Sequence, residues 1–387
     1  GMLSDLLPVG HWNKSPYILA SSLVGVACTL ALGFSTNSTM SATTATMCLF
    51  GATLQTSTCD LTSEATLAER IHQTPLLGPD LMTFVWGGIN LGNLAAISCS
   101  GWLITEFGPR SVFLASLAPS TAIVAPTLLN YFEDEPAVSK KLSVFRGHLE
   151  VFVLCGVICL LTFLLALAGV LMESALAHCI VALGTLFVLV PTFHLVLRPE
   201  IAKVNTFLIL QSAAGLGISG GSFYFYTDSS EQYPEGPHFS VSFFTTSIGM
   251  VSSVTSLLGL AIYQSCMRDW PFRSLLCFGE LLNAALSLPD IIFFTRLNEN
   301  LGIPDTVFVL GSAATRNVIY QWRSMPTVVL FSQLCPEGME VTMFALLAGC
   351  SNLGNSISDY LGAYLLEVLG VRPSGAAGES EQFRRMW

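Results

Sequence analysis

Hydrophobicity that recurs along almost the whole chain constrains this sequence more than any other feature. Nine apolar stretches of membrane-spanning length, separated by short polar loops, occupy residues 17–34, 41–59, 80–104, 111–129, 151–172, 176–197, 204–226, 239–264 and 271–294. Two more, at 305–332 and 341–369, are broken by polar residues and bring the expected number of spans to eleven. A helix needs about 20 apolar residues to cross roughly 30 Å of hydrocarbon, and it survives there because its backbone hydrogen bonds close internally. Charged residues make up only 11% of the 387, against roughly 25% in a typical soluble domain, too few to give a soluble fold a polar surface. The expectation is an all-α, polytopic membrane protein.

Charge and motif content exclude several functions. The formal charge is −10, so there is no basic footprint for a nucleic-acid partner. Eleven cysteines are scattered mostly inside the spans, with no CxxC pair and no ligand-like grouping with histidine, and read as small, reduced, buried residues. No metal or cofactor is expected. The chain has no HExxH and no glycine-rich phosphate loop, so neither metal-dependent hydrolysis nor nucleotide-driven work is expected of it, and it is read as a non-enzyme. An ion gradient driving spans that rock around a midplane site fits better.

Lys and Arg favour short cytoplasmic loops. With residues 1–16 cytoplasmic and the sides alternating, nine of the sixteen basic residues fall inside: Lys14, Arg70, Lys140, Lys141, Arg146, Arg198, Lys203, Arg268 and Arg273. The acidic loop TDSSEQYPEGPH then lies outside with Asp228, Glu231 and Glu235, as does the sequon at Asn37, Ser38 and Thr39.

The opening segment GMLSDLLPVGHWNK resembles the G-x-L-x-D-x-x-x-x-G loop that joins the second and third helices of major facilitator superfamily transporters, with Asp5 and Gly10 as its acid and second glycine and His11 and Lys14 at its basic end. Further segments narrow the likeness: DLTSEATLAERI from Asp60, FGPRSVF from Phe107, GGSFYFYTDSSEQYPEGPHFS from Gly220, and LCPEGMEVTMFALLAGCSNLGNSISDYLGAYLLE from Leu334. Together they resemble the folate/biopterin transporter family over essentially the whole chain. The resemblance implies a major facilitator-like helical bundle. It also implies a chain lacking the first two helices and the last, with an N-terminal half over 1–130 and a C-terminal half over 204–387, both incomplete. Between them, 131–203 would be a cytoplasmic linker followed by an extra hairpin hinged at Glu173, so that a complete parent would have about fourteen spans.

Ionisable groups inside hydrocarbon usually face a cavity or a partner. Arg316, Tyr320 and Arg323 recur at helical spacing and share one face of their span. Two guanidiniums there suit a carboxylate or the polar edge of a pterin; the plainer alternative pairs them with Glu337, Glu340 or lipid headgroups. On the following span Asn352, Asn355 and Asp359 form a polar stripe, which either binds a heterocycle or holds helices together, while Asp359 can also carry a proton. Asp60 and Glu64 stand one turn apart; two acids so placed repel when both are ionised, so that one holds a proton near neutral pH, as a proton-coupled carrier requires. The alternative makes them a latch with Arg70. Asp5 and Gly10 are read as a gate, with Arg268 and Arg273 in the corresponding loop of the second half. Gly215, Gly217, Gly220 and Gly221 offer close helix approach, as Gly88 and Gly92 do on the third span, and the run Phe223, Tyr224, Phe225 and Tyr226 is read as an interfacial aromatic belt in preference to a stacking surface.

By resemblance, the expected function is secondary active import of folate, biopterin or related pteridines across the plasma membrane, with protons as the coupling ion. A carrier of S-adenosylmethionine with the same family look, or a non-transporting sensor on the same fold, are the alternatives.

Overall fold

The computed structural model describes residues 9, 12, 14–35, 40–74, 77–131, 149–334 and 340–386. Its long helices are α1 (Ser15–Phe34), α2 (Ala42–Gln73), α3 (Gly78–Phe107), α4 (Arg110–Leu128, interrupted at Ile123), α5 (Leu149–Leu171) and α6 (Ala175–Val196). They continue with α7 (Pro199–Ala213), α8 (Ser219–Thr227), α9 (Phe243–Met267, with a π-helical turn at each end), α10 (Phe272–Phe294), α11 (Asp305–Leu334) and α12 (Glu340–Val368). Among the described residues there is no β-strand. Asp5, Gly10 and the sequon at 37–39 lie outside the described residues.

Each of the eleven expected stretches centres on a helix, the one at 204–226 on α7 and α8 together. Among the described residues seven helices are long and apolar enough to cross a membrane: α1, α3, α4, α5, α6, α9 and α10. The protein is all-helical and multi-pass. The remaining segments fall short for visible reasons. α2 is rich in threonine, but its hydroxyls donate to carbonyls one turn back: Thr46 to Ala42 O at 2.9 Å, Thr58 to Leu54 O at 2.7 Å, Thr62 to Thr58 O at 2.6 Å and Thr66 to Thr62 O at 2.9 Å. A hydroxyl satisfied within its own helix needs no water. α7 and α8 divide one expected stretch between two short helices, whereas α11 and α12 carry the arginines and the Asn/Asp stripe.

Local chemistry sets the boundaries. Ser41 and Ser174 cap α2 and α6, accepting from the N–H groups of Thr44 and Ala177. α7 opens on proline, whose missing N–H costs nothing in a first turn. The hairpin of α5 and α6 is closed by His178, whose Nε2 lies 3.2 Å from the carbonyl oxygen of Ala168 and 3.0 Å from that of Met172, so that a ring N–H there donates to the end of α5.

The chain divides into two compact units. The first comprises Gly1–Pro75, Cys99–Cys155 and Ser332–Ala348. In it α1 packs on α2 where Gln55 covers Gly25 and Cys28 covers Gly51, and Gln55 Nε2 donates to Ser120 O in α4 at 2.8 Å. Small residues permit these approaches, because lipid offers no hydrophobic drive to associate and packing must supply it.

The second unit comprises Leu76–Ser98, Gly156–Phe331 and Gly349–Trp387. Here the α5–α6 hairpin docks on α12 through Tyr360, which lies over Gly169 and against the His178 ring at 5.0 Å. Between α7 and α8 the helix breaks at 214–218, with Leu216 in the left-handed region at φ 46°. The break is locked to α12: Gly217 N–H donates to Ser358 O at 3.0 Å, and the Gly217 backbone fills the space that a Cβ on Gly362 would need. Gly221 meets Leu366 and Met386 in the same way, whereas Cβ atoms at Gly220, Gly88 and Gly92 would meet nothing among the described residues.

Candidate functional site

α10 and α11 run antiparallel, and two ion pairs at different depths join them. Arg316 on α11 pairs with Asp290 on α10. Two turns further along α11, Arg323 Nε donates to Glu280 Oε1 at 2.7 Å, and Gln211 of α7 donates to the same oxygen. Gly279 makes the second pair possible, since the Arg323 stem lies where a Cβ would be. Both arginines therefore find carboxylates on the neighbouring helix. Of the partners expected from the sequence, Glu337 and the side chain of Glu340 lie outside the described residues.

The loop that joins the two helices fixes their pairing. Arg296, in the left-handed region at φ 59°, forks onto Asp305 at 2.9 and 2.7 Å and also reaches Glu299. Asn298 Nδ2 adds a bond to Asp305 at 2.6 Å. Burial works against the Arg296 charge, but Asp305 and Glu299 outweigh it and hold the guanidinium protonated more firmly than usual.

Above this loop the rings of α8 to α11 line a half-open cavity of about 210 Å³. Tyr226, Phe244, Phe293 and Phe308 supply aromatic walls, and Asp290, Ser312 and Arg316 supply the polar side. Phe293 and Phe308 are stacked at 5.0 Å and 7° between planes, and Tyr226 faces Phe293 at 5.7 Å and 28°. Behind them Phe225, Tyr233, Phe294 and Phe383 join Phe293 in a buried aromatic cluster that stiffens the wall. Arg316 Nε is 3.3 Å from Ser312 Oγ, which orients the guanidinium. Flat rings beside a paired acid and guanidinium suit a planar heterocycle with a polar edge.

Next to the cavity, the 228–242 loop is tied to residues 371–386 through Gln232. Its carbonyl accepts from Glu379 N–H at 3.0 Å, and its Nε2 donates to Gly375 O at 2.7 Å. Two buried carboxyls in this region respond oppositely to their surroundings. Burial, reinforced by Glu379 and opposed by His238, pushes Asp228 up. Burial also disfavours the charge on Glu379, but the Ser374 hydroxyl at 2.6 Å and the N–H groups of Ser374 and Ala376 at 2.8 and 3.3 Å prevail and hold it below the usual range.

The other residues singled out in the sequence are dispersed. Tyr320 is exposed on α11 and does not line the cavity. Asn352, Asn355 and Asp359 lie exposed on α12, and the Asp359 carboxylate occupies the space beside Gly217. In the first unit Asp60 is exposed and Glu64 half-buried on α2; one turn beyond, Glu69 holds the buried Lys14 ammonium at 2.6 Å. Arg268 Nη1 is 3.1 Å from Asp80 at the start of α3, where Gln264 also binds the same oxygen, and Arg273 is exposed at the start of α10. Sequence reasoning passed over Asp290 and Glu280. Both are acids inside an otherwise apolar span, which is itself a signal. Tyr226, read as part of an interfacial belt, lines the cavity instead.

A profile of the BT1 family matches residues 1–379. The chain belongs to the BT1 family. Among its relatives, probable folate-biopterin transporter 6 of Arabidopsis thaliana is 25% identical over 372 residues, covering 96% of this chain and 65% of the relative. The folate-biopterin transporter of Synechocystis sp. is 25% identical, again over 96% of this chain and 65% of its own length. Putative folate transporter 2 of Plasmodium berghei is 22% identical over 92% of this chain and 66% of its own. This BT1 chain thus spans about two thirds of the length of these relatives.

Proposed function

We propose that this BT1 chain is the core of a secondary active transporter that carries folate, biopterin or related pteridines, chemically unchanged, across the plasma membrane in symport with protons. The observation that carries this reading is the aromatic cavity with Asp290 and Arg316 side by side in its wall. A pteridine is a flat, polar-edged bicycle, and such a cavity gives its faces rings and its edge a charged pair. The names of the relatives point the same way. The cavity is small beside the roughly 300–1,000 Å³ that encloses a drug-sized ligand, so it takes a bicyclic ring and leaves the long tail of folate outside. Arg323, Tyr320, Asn352 and Asn355 are proposed to meet the substrate elsewhere along its path. Asp60, Glu64 and Asp359 are proposed to carry the coupled proton, and Asp5, Gly10, Arg268 and Arg273 to gate the two halves, 1–130 and 204–387.

The test is uptake of labelled folate and biopterin by cells expressing the protein, at acidic and neutral outside pH, with Arg316→Gln in parallel. Saturable pteridine uptake that rises in acid and is lost in Arg316→Gln supports the reading. Surface expression without uptake of either compound overturns it; saturable uptake without acid stimulation overturns proton coupling alone.

A further inference from the structure

We infer that the Asp290–Arg316 pair reads one hydrogen-bonding edge, the 2-amino-4-oxopyrimidine, and that the cavity therefore also takes guanine, the purine that carries the same edge. The inference rests on the cavity being a site for pteridines, and it extends that reading to a second class of heterocycle.

Polar atoms are left over once the pair has formed. Arg316 Nη2 binds Asp290 Oδ2 and Arg316 Nε donates to Ser312 Oγ. Among the described residues Asp290 Oδ1 and Arg316 Nη1 are engaged by neither bond, and both side chains remain partly accessible, 28% and 45%. The pair therefore offers an incoming ring an acceptor carboxylate next to a donor guanidinium. A 2-amino-4-oxopyrimidine presents the complement along one side: an oxo acceptor, a ring N–H donor and an amino donor, in that order. The oxo group meets Arg316, and the N–H and amino groups meet Asp290. Because the pair is neutral overall, the site accepts an uncharged ring without burying a net charge.

Guanine carries this triad on its six-membered ring in the same order. Hypoxanthine lacks the amino donor, adenine lacks the oxo acceptor and the ring N–H, and lumazine has an oxo group where a pterin has its amino group. The aromatic walls do not separate these compounds, since contact with the lining rings of Tyr226, Phe244 and Phe308 is equally open to any flat bicycle. Discrimination falls to the edge, where a compound that leaves a charged partner unmatched loses roughly 10- to 100-fold in affinity. The volume of about 210 Å³ admits a purine as it admits a pteridine, because the two differ by one ring atom.

The experiment uses the purified protein in nanodiscs. Pterin binding is followed by quenching of pteridine fluorescence, with guanine, hypoxanthine, adenine and lumazine as competitors and labelled guanine measured directly by equilibrium dialysis. The expected result is displacement of pterin by guanine within about tenfold of pterin itself, with hypoxanthine and lumazine weaker by roughly 10- to 100-fold. Asp290→Asn is expected to erase the preference for guanine over hypoxanthine, and Asp290→Glu to keep part of it, which a merely structural role would not do. Pterin binding with no competition from guanine overturns the inference and leaves the pteridine reading standing. Guanine binding without pterin binding overturns both, since pterin carries the same edge. Binding of neither by folded protein overturns both.

Discussion

Gly362 stands where α12 crosses the break between α7 and α8, and replacing it by alanine perturbs the least forgiving contact in the second unit. A Cβ at 362 would lie 2.5 Å from Gly217 C and 2.8 Å from Gly217 N, and closer still to the Gly217 oxygen. All three are backbone atoms, so no rotamer change relieves the clash and the two segments must separate. Overpacking of this kind costs about 1–3 kcal/mol. Separation also stretches the 3.0 Å bond from Gly217 N–H to Ser358 O, a further cost of about 1 kcal/mol. The expected loss is about 2–4 kcal/mol, read as a fall of roughly 2–5 °C in the thermal midpoint of the detergent-solubilised protein. Gly220→Ala is the control. It lies in α8 within the same glycine-rich run, a Cβ there meets nothing within 4 Å, and helix propensity alone makes the change neutral or stabilising by up to about 1 kcal/mol. If Gly362→Ala melts together with the parent protein, or if both variants fall by the same amount, close backbone approach is not what holds α12 to the break.

The two carboxyls near the cavity make opposite predictions. Asp228 is raised, so its penalty is absent below the unfolded value of about 3.9 and complete above its folded value; Asp228→Asn is expected to stabilise the 228–242 loop by about 1 kcal/mol at pH 7 and not at all at pH 3, measured by amide hydrogen exchange. Glu379 is lowered, so its contribution is complete above the unfolded value of about 4.3 and disappears as pH falls through the folded one; Glu379→Gln is expected to destabilise the same loop by about 1–3 kcal/mol at pH 7, an effect that vanishes in acid. Arg296→Lys keeps the charge but loses the fork on Asp305, and is expected to lower the thermal midpoint by the equivalent of about 1–2 kcal/mol. Arg323→Gln leaves Glu280 with Gln211 alone and is expected to cost about 1–3 kcal/mol, discounted for the part of Glu280 that solvent reaches. Adding Glu280→Gln should recover most of that loss, and a double variant less stable than Arg323→Gln would refute the pairing.

Much of the architecture is legible without coordinates. Apolar length determined the helices, down to the positions of α5, α6, α9 and α10, because a spanning segment must satisfy its backbone alone and therefore carries its own signature. The cost of charge in hydrocarbon marked Arg316 and Arg323 as residues in need of partners, and the same rule applied to α10 would have marked Asp290 and Glu280. Periodicity placed Arg316, Tyr320 and Arg323 on one face, and that face proved too broad to be one site: Arg316 enters the aromatic cavity, Arg323 is held by Glu280, and Tyr320 is exposed. The glycine run signalled close packing without showing which glycine was indispensable.

Only the tertiary structure decided which acid meets which arginine, that Tyr226 turns into a cavity with Phe244, Phe293 and Phe308, and that the chain breaks at Leu216 against Gly362. A sequence specifies which residues share a face of a helix, since 3.6 residues per turn is a property of the single chain. It does not specify how far one helix slides along its neighbour. A slide of one turn, about 5.4 Å, would match Arg316 with a different rung of α10, and that register is set by the Arg296 fork, which closes the turn between the two helices, and by the aromatic cluster, whose residues are far apart in the chain.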